Sequence, residues 1–244
     1  MTLDDVHQYV VRFGMDVFPP LELANEQFRA QSLYQTLAES WPLLFSKLSL
    51  SAMEFAVSGR FRAGTAEAEV QTFGYSPRGP MIAFPCKLGG FLTLDYDDKR
   101  CIAECRSILA AVEKTFPSRD ILRVGMLREV VFSTGETHAD DVLMPIINEL
   151  SGASFAGGRL LLVFRDQFCN IRLTLEPLEI QRRQQAPSGV ARVGHEAFGL
   201  GVQLDVNNAE MRPMSASDIE QVLERAQALW PAPVLEYLNR RARP

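Results

Sequence analysis

Residues 121–133 read Ile121-Leu-Arg-Val-Gly-Met-Leu-Arg-Glu-Val-Val-Phe-Ser133, and the fold turns on how this stretch is placed. It is too long and too rich in β-branched and aliphatic residues for a turn, and it alternates as a strand does. Strict alternation puts Arg123, Gly125, Leu127 and Glu129 on one face and Arg128 on the other. Its segment Arg123-Val124-Gly125-Met126 also matches Arg12-Phe13-Gly14-Met15, which lies 111 residues earlier in another apolar run.

Around these two runs the order of elements repeats. In the first half, a strand over 8–18 ends at Pro19-Pro20, and Ala30, Leu33, Leu37 and Trp41 then fall at helical spacing. Strands follow over 55–62, 68–75, 81–85 and 91–96, and the helical period returns from Asp98 to Phe116. In the second half, strand 121–133 leads to a helix over 140–150 and to strands at 159–165, 169–176 and 198–206. A last helix opens on a capping box at Ser217 and Glu220, and Pro231 and Pro233 interrupt it. The reading is therefore an α+β chain with an antiparallel sheet and two similar strand–helix–strands–helix halves, residues 1–117 and 118–244, packed as one continuous unit. That order is the one found in TBP-like and helix-grip folds. A pair of ferredoxin-like units is the alternative.

Composition sets the class of protein. The chain has 244 residues, 47% of them apolar and 23% charged, and a net charge of -5. Such a chain buries a large core and is not intrinsically disordered. With a pI ≈ 5.4 the acidic balance argues against nucleic acid and anionic membranes as partners. No run approaches the ~18 apolar residues of a spanning helix, and the opening MTLDDVHQYVV lacks the pattern of a secretory signal, so the expected location is the cytoplasm. Cys86, Cys101, Cys105 and Cys169 are read as small buried hydrophobes, with no disulfide.

The segment Ile121-Leu-Arg-Val-Gly-Met-Leu-Arg-Glu129 resembles a strand found at mid-chain in a sporadically distributed family of bacterial proteins of about this length. Phe13 to Pro20, Gly201–Asn207 and Ser217–Leu229 resemble that family's opening strand, last strand and last helix. Glu129 departs from the family, whose strand is usually neutral there. The resemblance implies no activity and no catalytic residues.

Sites of chemistry are few. The phosphate-cradling glycine loops and the nucleophile elbow are absent, and His7, His138 and His195 do not have the spacing of zinc ligands. No metal, cofactor or catalytic set is expected, and the reading leans away from an enzyme. His195 beside Glu196 reads as a strand-end histidine, and Asp97 or Asp98 as the cap of the following helix. Two features point to binding. Arg123, Arg128 and Glu129 place charge on a central strand, which demands a partner or an open sheet face. Residues 181–192 hold Arg182, Arg183 and Arg192 with no acid among them and read as an exposed contact loop. The expected function is a non-catalytic interaction or assembly module that binds a protein partner or another copy of itself. The alternative is a small-molecule binder or helix-grip enzyme with a cavity between sheet and helix, lined by Phe55, Phe61, Phe91 and Tyr96. An RNA-processing role would suit the arginine loop, but the acidic pI counts against it.

Overall fold

A computed structural model describes residues 1–40, 42, 45–51, 55–63, 66–76, 81–88, 98–135, 158–185 and 191–241; residues 59–63, 66–76, 81–88, 98–100, 181–185, 191–195 and 241 are described by their backbone alone. The strands are β1 (Val6–Phe18), β2 (Lys47–Leu50), β3 (Phe55–Ala63), β4 (Ala66–Ser76), β5 (Met81–Leu88), β6 (Asp120–Gly135), β7 (Leu160–Arg165), β8 (Cys169–Gln185) and β9 (Ala191–Asn208). The helices are α1 (Leu23–Ser40), α2 (Asp98–Thr115), α3 (Ala216–Ala228) and α4 (Ala232–Arg241).

The fold is α+β. Among the described residues, nine strands join one antiparallel sheet in the order β2-β3-β4-β5-β1-β6-β9-β8-β7. The long strands β1 and β6 pair at its centre, so residues 1–117 and 118–244 share one sheet. Outward from that centre the strands run β1-β5-β4-β3 on one side and β6-β9-β8-β7 on the other. Each side thus begins with its first strand in sequence and then runs backward through the later ones. Among the described residues no helix separates β2 from β5, and the first half runs strand–helix–strands–helix rather than in ferredoxin-like order. The expected strand at 91–96 and helix at 140–150 lie outside the described residues.

One face of the sheet is the core. Tyr9, Val11, Phe13 and Met15 of β1 stand opposite Val130, Arg128, Met126 and Val124 of β6, and all eight are buried. Val202, Leu204 and Val206 of β9 and Leu175, Leu173 and Ile171 of β8 continue this face. The helices cover it: α1 packs on α2, and α3 on β6 and β9. Leu33 and Leu37 of α1, Ile108 and Val112 of α2 and Val222 and Leu223 of α3 are inside. Each such side chain contributes roughly 1.5–3 kcal/mol of transfer free energy.

Ion pairs fasten the helices. Arg106 of α2 pairs with Glu220 of α3. Arg225 Nε lies 2.8 Å from Asp166 Oδ2 in the β7–β8 turn. Arg119, at the entry to β6, lies 2.9 Å from Glu26 of α1, with both side chains largely buried.

Two expectations are corrected. The cap of α3 is Ser215, not Ser217. Its hydroxyl accepts the Asp218 backbone N–H, and the Asp218 carboxylate accepts the Ser215 backbone N–H at 2.9 Å, leaving Glu220 for Arg106. Pro231 and Pro233 interrupt the last helix as expected, since α3 ends at Ala228 and α4 begins at Ala232. They sit at the opening of α4, where a missing backbone N–H costs nothing. Residues 181–185 and 191–192 are strand rather than loop: Gln181–Gln185 and Ala191–His195 extend the β8–β9 ladder, which carries Arg182 opposite Gly194, Arg183 opposite Val193 and Arg192 opposite Gln184. Residues 186–190 lie outside the described residues.

Candidate functional site on the open face of the sheet

The face opposite the described helices is built from the alternate residues of the same strands. On β1 these are Val10, Arg12, Gly14 and Asp16. Across from them β6 places Glu129, Leu127, Gly125 and Arg123. β9 then adds Gln203, Asp205 and Asn207 opposite Glu129, Leu127 and Gly125. Two of the predicted residues, Arg123 and Glu129, therefore stand on this face.

Glu129 is the hub of a chain of polar contacts that crosses three strands. Arg12 Nε lies 2.9 Å from Glu129 Oε2, with the two side chains 50% and 26% exposed. Gln203 Nε2 donates to Glu129 Oε1 at 3.3 Å, and Arg159 Nη2 donates to Gln203 Oε1 at 2.9 Å. The carboxylate thus accepts from two sides, while Arg12 keeps donor capacity toward solvent. Arg123 stands opposite Asp16. Burial pushes the Asp16 carboxyl above its ordinary value, and the positive charge of Arg123 offsets part of that rise.

Two depressions indent this face. One of about 320 Å³ extends across four strands, from Gln8 and Arg12 of β1 past Glu129 and Gln203 to Thr174 and Glu176 of β8. The other, of about 300 Å³, has Gly14 and Gly125 in its floor and Arg12, Asp16, Arg123 and Asp205 around it. Val10 and Thr174 on this face are 2% and 6% exposed. Glycine helps form the hollow, since a Cβ at Gly201 would lie 3.0 Å from Leu178 Cδ1.

In comparisons with known proteins, no family model, no curated protein and no solved structure matches this chain.

Arg128 is corrected from a partner-facing residue to a core residue. It is completely buried, donates through Nε to Tyr9 Oη at 3.2 Å and through Nη1 to the Ala226 carbonyl at 2.9 Å, and so engages the last turn of α3. The parity of β6 forces this, since a residue next to Glu129 must point to the opposite face. Arg182, Arg183 and Arg192 belong to the β8–β9 ladder, some distance along the sheet from the Glu129 chain. His195 stands opposite Gln181 in the same ladder, and His138 lies outside the described residues.

Phe55, expected beside a cavity between sheet and helix, is packed in the core. Phe61 lies in β3, and Phe91 and Tyr96 fall outside the described residues. Cys101, Cys105 and Cys169 are buried. Among the described residues there is no cluster of three or more metal-ligating side chains and no helix long and apolar enough to cross a membrane.

Sequence reasoning missed Arg12, Gln203 and Arg159. Arg12 was within reach, since it occupies the position in β1 that Arg123 occupies in β6. Gln203 also had a signal, as a polar residue between the buried Val202 and Leu204. Arg159 had none, because its reach across β8 to β9 is a tertiary fact.

Proposed function

We propose that the protein is a non-catalytic interaction module that receives a protein partner on the sheet face opposite the described helices, which carries two depressions. The observation that carries this reading is the chain Arg12–Glu129–Gln203–Arg159, which lays paired charges and an amide across three strands with donor capacity left facing solvent. Paired polar groups of this kind fix register and orientation at protein interfaces, and apolar hollows accept anchoring side chains. The hollow over Gly14 and Gly125 suits an apolar or aromatic anchor, framed by Arg12 and Arg123.

Site-specific photo-crosslinking tests the reading. A crosslinker placed at Arg12 should capture a protein that the same crosslinker placed at Glu236, on α4, does not. Replacing Glu129 by Arg should abolish that capture with an unchanged circular dichroism spectrum. Equal capture from both positions, or capture that survives E129R, would exclude the open face as the contact.

A small-molecule reading has one observation in its favour. The two depressions, about 320 and 300 Å³, reach the lower end of the range of ligand pockets. Native mass spectrometry of the purified protein separates the two, because a bound small molecule adds a discrete mass that denaturation releases.

A further inference from the structure

The two edges of the sheet are built differently. At one edge β2 has four residues, and those it turns most to water are Lys47 and Ser49. Shortness and lysine are two of the means by which sheet edges avoid pairing with other chains. At the other edge β7 reads Leu160-Leu-Leu-Val-Phe-Arg165, and among the described residues it pairs with β8 alone. Leu161 and Val163, on the open face, are 55% and 63% exposed, and Phe164, on the helix-bearing face, is 46% exposed. No lysine, acid or proline interrupts the strand.

We propose that β7 pairs with β7 of a second copy of this chain, antiparallel about a two-fold axis normal to the sheet. The strand that docks here must be apolar on both faces, because the edge exposes apolar side chains on both, and β7 itself meets that requirement. A two-fold of this kind keeps each face of the sheet continuous, so residues of like parity stand opposite. In the central register Leu162 meets Leu162 of the second copy, Leu161 meets Val163, and Leu160 meets Phe164. The same register opposes Arg159 to Arg165, and the structure draws both guanidinium groups back from the edge. Arg159 reaches across β8 to Gln203 at 2.9 Å, and Arg165 turns to Asn170 of β8 at 3.1 Å. The proposal concerns the sheet edge and does not depend on the open-face reading.

Light scattering during size-exclusion chromatography, with hydrogen exchange followed by mass spectrometry, tests it on the full chain over a micromolar range. The expected result is a dimer with protected amides in 160–165. Val163→Lys should raise the dissociation constant by about 100-fold, since each dimer carries the change twice and a factor of ten per copy is a modest contact. Its circular dichroism spectrum should match the parent's, because Val163 is exposed in the single chain, while its melting temperature should lose the dependence on protein concentration that a dimer confers. Leu161→Glu should act in the same way, while Ser49→Lys at the β2 edge should leave the dimer intact. Glu129→Arg separates this proposal from the open-face reading, because it should spare the dimer. A monomer throughout the range, a dimer that survives V163K, or a dimer lost in E129R but not in V163K would overturn the proposal. Open-ended polymers would also overturn it, since they require β7 to pair with β2.

Discussion

Gly14 and Gly125 stand directly opposite each other across the central strand pair, on the open face of the sheet. They are also equivalent positions of the two matching segments, so the pair marks the point where the halves of the sheet meet. On the far side of Gly125, a Cβ would fall 3.1 Å from the Cβ of Asn207, an atom fixed to the β9 backbone. Valine at 125 must therefore displace a strand rather than a side-chain tip. Gly125→Val should cost about 2 kcal/mol, as overpacking does. Urea unfolding measures this, and a variant as stable as the parent would show that β9 gives way freely.

Arg128 should be as important to stability as its burial suggests. Its removal leaves the Tyr9 hydroxyl and the Ala226 carbonyl without this donor inside the core. The carbonyl belongs to the last turn of α3, where intrahelical donors run out and positive charge is favoured. Arg128→Met should lower stability by about 3 kcal/mol, and Tyr9→Phe by about 1 kcal/mol. The two should couple in a double-mutant cycle. Near-ultraviolet circular dichroism should change as well, because Tyr9 stacks on Trp230 at 5.9 Å.

Asp16 supplies a pH-dependent prediction. Burial raises its carboxyl above the ordinary value, and Arg123 offsets part of the rise. A raised carboxyl binds its proton more tightly in the folded chain than in the unfolded one. Its ionisation therefore costs stability as pH rises through and beyond the ordinary carboxylate value of about 4. Asp16→Asn should raise the melting temperature at neutral pH, and the gain should vanish in acid. Arg123→Gln should move the Asp16 titration higher still, which carboxyl-carbon NMR would follow.

Cys169 should be inert under native conditions. Burial first, and the nearby Asp166 carboxylate second, push its thiol up to about 11, with Arg225 opposing. At pH 8 about one thiol in a thousand is ionised at such a value. Iodoacetamide should then modify it only after unfolding. The unfolded thiol ionises before the folded one, so this group withdraws stability as pH rises from 9.0 to about 11. Cys169→Ala should flatten the fall of melting temperature in that interval.

The sequence alone determined the α+β class, the strand at 121–133 and its parity, because a strand with one buried face writes its burial into a period of two. That parity already set Arg123 and Glu129 apart from Arg128. It could not say which side the helices would cover, and so it left open which of these charges faces water. The tertiary structure decided that, by laying α3 over Arg128 and leaving Glu129 partly exposed on the opposite face. The same reason explains the misreading of residues 181–192. Beyond Ile180 the β8–β9 ladder is polar in composition, and local sequence shows a strand only through the contrast between its faces. Cross-strand pairing supplies what that contrast lacks, and the pairing partner lies in another part of the chain. The reach of Arg159 to Gln203 and the exposure of Leu161 and Val163 at the sheet edge have the same origin: they follow from strand order, which no local period records.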